Sequence, residues 1–288
     1  MKNTMPVAYK IHSSLRRVPG PLLQKLLSPR AFNAARFKWW CVRYYVRRAV
    51  SLFIFQPPVV RSFGSTGNDS ALARKIRGVN TMAQTPMCRV MTKHGSDKGN
   101  TRHNYTAVYS ALFSGRRHEP LRIFELGLGT NNPDAPSSMG SHGLPGASLR
   151  GWCELFPSAL VYGGDIDRAI LFENDRIKTF YCDQLDSTAI RELWSHPEFQ
   201  AGLDIIIEDG LHTLEANISF LEGSLGHLRP GGTYIVEDIL TDRVRDWYQR
   251  IENIYIKQYP GYEFAMVSLP CAKNDFDNNM LIIQRLVA

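Results

Sequence analysis

Two apolar runs in this chain end abruptly in acid. The run Leu203-Asp204-Ile205-Ile206-Ile207-Glu208 passes straight into Asp209-Gly210-Leu211-His212, and Gly231-Gly232-Thr233-Tyr234-Ile235-Val236 passes into Glu237-Asp238. Short runs rich in branched aliphatics are the pattern of strands buried on both faces of a parallel sheet. The carboxyl ends of such strands form the ligand crevice of an open α/β sheet. Asp209, His212, Glu237 and Asp238 are therefore expected to meet there. Three carboxylates in one place repel one another unless a cation sits between them, and a histidine beside them suggests proton transfer. The competing reading is that these acids only cap helices and solvate loop mouths. Acids at the ends of two successive strands, one pair adjacent and one with a nearby histidine, favour a site.

The elements that must position these residues alternate from about residue 120 onward. Residues 121–126 read as a strand ending in the glycine loop Gly127-Leu128-Gly129. A polar insertion rich in Asn, Pro, Ser and Gly fills 130–146, and a helix follows over 148–156. Strands are expected at 160–164, ending at Asp165, and at 177–181, ending before Asp183. Asp186-Ser187 is a helix cap, and the fourth strand is 203–208. Leu214, Ile218, Leu221, Leu225 and Leu228 then fall on one face of a helix. Arg229-Pro230-Gly231-Gly232 turns that helix into the fifth strand. A helix over 244–258 leads to strands at 262–269 and 279–285, which have no helix between them and should pair antiparallel. The expected fold class is α/β, a doubly wound, mainly parallel, seven-stranded Rossmann-like sheet with a terminal antiparallel strand pair and a helical N-terminal extension.

The glycine loop narrows the cofactor. It is not GxGxxG, because Thr130-Asn131-Asn132 follow where a third glycine would tuck against a helix. A dinucleotide pyrophosphate needs a close helix N-terminus at that place, and the insertion is expected to push the next helix away. With Asp165 after one strand and Asp183 after the next, the loop suits a nucleoside without phosphate. Asp165 could accept from both ribose hydroxyls and Asp183 from an adenine amino group. The bland reading of Asp165 is a turn residue in Gly163-Gly164-Asp165.

Charge divides the chain. The first 68 residues carry 12 Lys and Arg and no acid, leaving 22 basic and 27 acidic residues, a net of −5, for the remainder. The division expected is a basic aromatic helical extension over 1–68, with a linker at 62–69, and a catalytic domain over 69–288. The acidic body gives no support for nucleic-acid binding. The extension mixes Arg and Lys with Trp39, Trp40, Tyr44 and Tyr45, and its apolar run at 49–55 is too short to span a bilayer. Three readings stay open: a basic helix lying on anionic lipid, an organelle transit peptide, or an arm packing on the body or on a second subunit. Five dispersed cysteines without a CxxC fit a reducing compartment. The location expected is the cytoplasm, with peripheral contact to the inner face of the membrane under the first reading of the arm.

Taken together, Glu125-x-Gly127-x-Gly129, Asp165, Asp183-Gln184 and the terminal antiparallel pair resemble class I S-adenosylmethionine-dependent methyltransferases. The chain is similar in particular to the metal-dependent, macrolide-sugar (mycinamicin-type) O-methyltransferases. The segments that carry this are Lys93-His94-Gly95-Ser96-Asp97-Lys98-Gly99, His103-Asn104-Tyr105, Gly146-Ala147-Ser148-Leu149-Arg150, Asp209-Gly210-Leu211-His212, and Pro230-Gly231-Gly232 with Glu237-Asp238. The likeness covers roughly residues 88–240 and excludes the basic extension. It implies that Glu125, Gly127, Gly129, Ser148, Asp165, Asp183, Gln184 and Asp209 bind S-adenosylmethionine. It also implies that Asp209, Glu237 and Asp238 hold Mg²⁺, with His212 as general base. The chain departs from the family at Leu211, where the family has Ser, and after Thr241, so the acceptor is the least determined part. A hard dication on carboxylates lowers the pKa of a bound hydroxyl, and an imidazole can take its proton. The acceptor implied is a small-molecule or lipid-linked sugar. Alternatives are a catechol or other phenol, and a nucleoside-binding scaffold without turnover. A nicotinamide dehydrogenase is disfavoured by the missing third glycine. His103, Tyr105 and Asp97 are placed at the mouth of the site, whereas His142 is expected in a solvated loop and Trp152, Trp194 and Trp247 in the core.

Overall fold

The computed structural model describes residues 57–64, 70–100, 102–271, 274 and 276–287. The basic, aromatic part of the extension lies outside the described residues, and with it every expectation about what the arm contacts. Among the described residues no helix is long and apolar enough to cross a membrane.

Eight strands form one sheet: β1 (Val59–Phe63), β2 (Arg122–Leu126), β3 (Leu160–Asp165), β4 (Ile177–Tyr181), β5 (Leu203–Glu208), β6 (Leu228–Val236), β7 (Tyr262–Ser268) and β8 (Asn279–Arg285). Their order is β1-β7-β8-β6-β5-β2-β3-β4. The five strands from β6 to β4 run parallel, β8 is antiparallel to both β6 and β7, and β1 pairs antiparallel with β7. The terminal antiparallel pair is as expected, but the strand number is eight rather than seven. Val59-Val60-Arg61-Ser62-Phe63 adds an edge strand, so the sheet begins before the boundary expected after residue 68 and the linker expected at 62–69 starts inside a strand. The segment is short, and its basic neighbours outweigh it in composition. Only its last two residues are buried, so it carries too little apolar pattern to stand out.

Helices cover both faces. On one lie α1 (Ala71–Arg77), α2 (Pro86–His94), α3 (Tyr105–Phe113) and α4 (Ala147–Leu155); Leu72, Met91, Val108 and Trp152 from them join Ile123, Ile205, Ile207 and Ile235 of the strands. On the other lie α5 (Ser187–Ser195), α6 (Leu214–Ser224) and α7 (Val244–Arg250). The last runs on through a π-helical stretch, Ile251–Tyr255, into a final helical turn. Ile190, Phe220 and Trp247 of that layer pack on Phe124, Ile206 and Tyr234. Phe124 sits at the centre, with ring centroids 4.9 Å from Trp194, 5.7 Å from Phe199 and 6.1 Å from Phe220. Truncating such a ring to Ala costs roughly 3–5 kcal/mol.

The apolar face expected of helix α6 packs on the core, with Leu221 and Leu225 fully buried and Leu214 and Ile218 packed at its margin. Its buried residues are Ala216, Asn217, Phe220, Leu221 and Ser224, while Leu214 and Ile218 are half-buried. Small residues let the helix backbone approach, and Ser224 Oγ accepts from Trp194 Nε1 at 3.0 Å. The helix stops earlier than expected: Leu225–His227 is a 3₁₀ turn, and Leu228 is the first residue of β6.

The chain fills the sheet from β2 outward through β3 to β4, then returns to place β5 on the other side of β2. That reversal is the topological switch point, where open α/β sheets bind ligands.

Candidate active site

Side chains alternate faces along a strand, and this alternation gathers the acids. Ile123 and Glu125 on β2, Ile205, Ile207 and then Asp209 after β5, and Ile235 and then Glu237 after β6 follow one another on the face covered by α1–α4. The isoleucines belong to the apolar core. One step further along the same face, three neighbouring strands each present a carboxylate.

A cavity of about 460 Å³ opens over these strand ends. Glu125, Gly127, Gly129, Ser148, Asp165, Asp183, Gln184, Asp209, His212 and Asp238 all line it. Glu237 does not; it is 1% exposed and lies behind the wall. Its carboxylate accepts from the Tyr109 hydroxyl and from the Lys98 ammonium. Among the described residues, the metal-capable groups whose donor atoms cluster are Asp209, His212 and Asp238, and separately His103, Asp238 and Asp277.

At the cofactor end, the glycine loop is held by close approach. Gly127 has φ +90°, and a Cβ there would fall 1.9 Å from the Asp209 carbonyl oxygen. Gly129 has φ +80°, and a Cβ there would fall 2.1 Å from Met139 Sδ. Glycine is required at both. Glu125 is buried and accepts from Ser148 Oγ and, at 2.6 Å, from Trp152 Nε1. The tryptophan is in the core as expected, yet it also fixes a site carboxylate. The insertion does not push α4 away. It closes on itself, so that Gly146 N donates to Leu128 O at 2.7 Å and α4 begins beside the glycine loop. Asp165 accepts from the Leu128 N–H at 2.7 Å and the Asp167 N–H at 2.8 Å. Burial pushes its carboxyl up against those bonds. It thus serves the turn and faces the cavity as well. Asp183 is half-buried and accepts from the Leu185 N–H at 2.9 Å. Gln184 bridges the ends: Oε1 accepts from the Leu211 N–H at 2.7 Å, and Nε2 donates to Glu208 at 3.1 Å. Burial raises Glu208 to about 7.

At the opposite end, His212 Nε2 lies 3.1 Å from Asp209 Oδ1 and its Nδ1 lies 3.8 Å from Asp238 Oδ2. Tyr105 donates to Asp238 Oδ1 at 2.6 Å, and His103 Nδ1 is 3.5 Å from the same oxygen. The His103 and Tyr105 rings stack with centroids 4.8 Å apart. Both residues are therefore buried against the acids, and Asp97 lines the mouth. His142 is exposed in the insertion. His212 and Asp238 have φ of +61° and +51°, the left-handed region. They are the two non-glycine residues there among those described, and such strain concentrates at functional sites.

Lys98 is the residue that sequence reasoning left without a role. It is 2% exposed, and its ammonium lies 2.5 Å from Asp209 Oδ2 and 3.4 Å from Glu125 Oε1, besides its bond to Glu237. Burial pulls this amine down, but Asp209, Glu125 and Glu237 outweigh it and hold it well above the ordinary lysine value. One ammonium does not balance the acids. Burial and their mutual repulsion push Glu125, Glu237 and Asp238 up, while Asp209 is carried well below the usual range because Lys98 and His212 outweigh its burial. Burial would lower His212, but its bond to Asp209 and the charge of Asp238 raise it to about 10. A further cation beside them would relieve that repulsion.

No family model matches the chain. It is 34% identical over 149 residues to 8-demethyl-8-alpha-L-rhamnosyl tetracenomycin-C 2'-O-methyltransferase of Streptomyces olivaceus, covering 52% of this chain and 36% of that protein. It is 31% identical over 162 residues to demethylmacrocin O-methyltransferase of Streptomyces fradiae, covering 56% and 38%. The matched stretch thus spans little more than a third of these relatives. Among solved structures it is similar to the MycE methyltransferase of the mycinamycin biosynthetic pathway in complex with Mg and SAH, with a TM-score of 0.54 and 22% identity over 71% of this chain and 55% of that one. The fold is the Rossmann-like fold of class I methyltransferases, and the resemblance read from the motifs is borne out by relatives that are O-methyltransferases.

Proposed function

We propose that the protein is a Mg²⁺-dependent O-methyltransferase that moves the methyl group of S-adenosylmethionine to a hydroxyl of a sugar or glycoconjugate. The observation that carries this reading is the two-ended cavity at the switch point. A glycine loop with Asp165 and Asp183 stands at one end, and Asp209, His212 and Asp238 stand at the other. The names of the relatives and the bound groups of the structural neighbour support the same chemistry.

The donor set fits a hard dication. Asp209 and Asp238 face the cavity with their oxygens close enough to share one ion, and the acids around them carry more negative charge than Lys98 offsets. Asp209, Glu237 and Asp238 would hold Mg²⁺; the present partners of Glu237 are Lys98 and Tyr109. Such an ion would supply Lewis-acid activation of a coordinated hydroxyl. His212 is the base in this reading. An imidazole already protonated by flanking acids cannot accept a proton, so a cation compensating Asp209 and Asp238 would also free His212 for that work. The chain's own part at the cofactor end is binding and aim. Asp165 and Asp183 take the nucleoside, and the Gly127–Gly129 backbone leaves room for the methionine portion.

Two measurements test this. S-adenosylhomocysteine should raise the melting temperature of the purified protein and NAD should not. A screen of free sugars and glycolipids with methyl-labelled S-adenosylmethionine should give transfer with Mg²⁺ and none after exhaustive EDTA treatment. Undiminished turnover in EDTA would end the metal part of the proposal.

A further inference from the structure

We infer that Lys98 is an internal competitor for the divalent cation, occupying the carboxylate oxygens that the ion needs and so setting how tightly it is held. The inference rests on the reading of these acids as a metal site.

The side chain stands where three strands deliver acid. Its ammonium bonds Asp209 Oδ2 and Glu237 Oε2, the residues just after β5 and β6 assigned to the ion, and lies 3.4 Å from Glu125 Oε1 on β2. Its backbone is tied on both sides: Lys98 N donates to Ser96 Oγ at 3.4 Å, Thr106 N donates to Lys98 O at 3.2 Å, and His103 N donates to Asp97 O at 3.2 Å. The amine can therefore shift only by its own rotatable bonds. Glu125 is the carboxylate toward which it can retreat, since that group already stands beside it without being assigned to the ion.

Charge makes the competition strong. Lys98 is 2% exposed and Glu237 1%. Water there cannot screen an ammonium from a dication drawn to the same oxygens, and like charges in such surroundings repel far more than at a surface. The lysine also has a use in the ion-free protein, where it compensates buried acids that would otherwise face one another. The same residue would thus keep the empty site folded and hold the affinity for the ion down.

The test is calorimetric titration of the purified protein with Mg²⁺, without acceptor, in wild type, Lys98→Met and Lys98→Arg. Melting temperatures are read with and without millimolar Mg²⁺. Lys98→Met should bind Mg²⁺ at least about tenfold more tightly than wild type, because a neutral side chain no longer repels the ion. Its melting temperature should be lower than wild type without Mg²⁺ and rise further when Mg²⁺ is added. Lys98→Arg, which keeps the charge, should bind no more tightly than wild type. The inference is overturned if Lys98→Met binds Mg²⁺ equally or more weakly, if Lys98→Arg gains affinity to the same extent, or if Lys98→Met stays unfolded even with Mg²⁺. If wild type, Lys98→Met and Lys98→Arg all fail to bind Mg²⁺ while remaining folded, the metal reading itself is wrong, and the inference falls with it.

Discussion

At the end of β3, Asp165 is surrounded by backbone N–H groups, from Leu128 and Asp167. At the ends of β5 and β6, Asp209, Glu237 and Asp238 are surrounded chiefly by side chains, and those side chains are themselves titratable: Lys98, Tyr105, Tyr109, His103 and His212. Both ends are buried and both use carboxylates. Backbone donors are fixed by the fold and cannot leave, so Asp165 is a settled acceptor with lone pairs left for a neutral ligand. Side-chain donors can exchange, and the acids they serve remain in excess. On the proposed function, one end holds a nucleoside unchanged and the other trades protons and cations. The difference lies in what surrounds the carboxylates, not in the carboxylates themselves.

The largest effects expected lie at the second end. Asp238→Ala removes an oxygen donor that faces Asp209 and His212 across the cavity, and methyl transfer should fall by roughly three orders of magnitude or more, the scale on which metal activation of a hydroxyl contributes. S-adenosylhomocysteine affinity should stay within about threefold, since the settled end is untouched. A parallel collapse of cofactor binding, measured by calorimetry, would erase the distinction between the ends.

His212→Ala comes next. Loss of a general base lowers the rate by roughly two to four orders of magnitude. The melting temperature measured with Mg²⁺ should hardly change, because the side chain is about a quarter exposed and makes no contribution to the apolar core. Unfolding on this substitution would mark a structural histidine instead. The mirror-image variant is Asp165→Ala. It should weaken S-adenosylhomocysteine by roughly 10- to 100-fold, the cost of losing a charged hydrogen-bond acceptor. Turnover at saturating S-adenosylmethionine should stay within severalfold of wild type. If Asp165→Ala instead lowers turnover and leaves affinity alone, the roles of the two ends are wrongly divided.

Much of this contrast is legible in the sequence, and the part that is not has physical causes. Strand β5 and the second half of β6 read clearly because strands buried on both faces are branched, apolar runs, and the acids that follow stand out against them. The same pattern places Asp209, His212 and Asp238 at one crevice. What surrounds each acid is not local. Lys98 sits between two glycines' reach in Gly95-Ser96-Asp97-Lys98-Gly99 and looks like a solvated turn. It is buried only because β2, β5 and β6 deliver three carboxylates to it, a long-range event that no window of sequence contains. Tyr109 is hidden for the same reason inside an apolar helix. The inaccessibility of Glu237 also escaped, since adjacent residues on a strand face opposite ways and a Glu-Asp pair cannot present both side chains identically. Edge strand β1 escaped because a half-exposed edge needs little apolar patterning. The end of α6 was misplaced because Leu225 and Leu228 stay apolar and buried after the helix has stopped, so the helical spacing runs on past it.

The smallest effect expected tests whether the traded charges are already at work before any ion binds. His212 is raised from 6.5 to about 10 through its bond to Asp209 and the charge of Asp238. A group whose folded value is raised stabilises the fold fully below its unfolded value, and that contribution is lost as pH climbs through the folded value. In EDTA the melting temperature should therefore decline between about pH 6.5 and pH 10, and the decline should be smaller in His212→Gln, which cannot carry the charge. A charge-assisted hydrogen bond is worth about 2 kcal/mol, which for a chain of this size is a difference of roughly 4–8 °C between the two curves at their widest. Saturating Mg²⁺ should narrow the gap, because a dication near Asp209 and Asp238 removes the reason for the imidazole to stay protonated. The settled end provides the control. Asp183→Asn changes a half-exposed acid bonded to the Leu185 N–H, and its melting curve should follow wild type across the same pH range. Curves of His212→Gln and wild type that run parallel in EDTA would show that the imidazolium is not held by these acids. The division between a fixed end and an exchanging end would then have to rest on Lys98 alone.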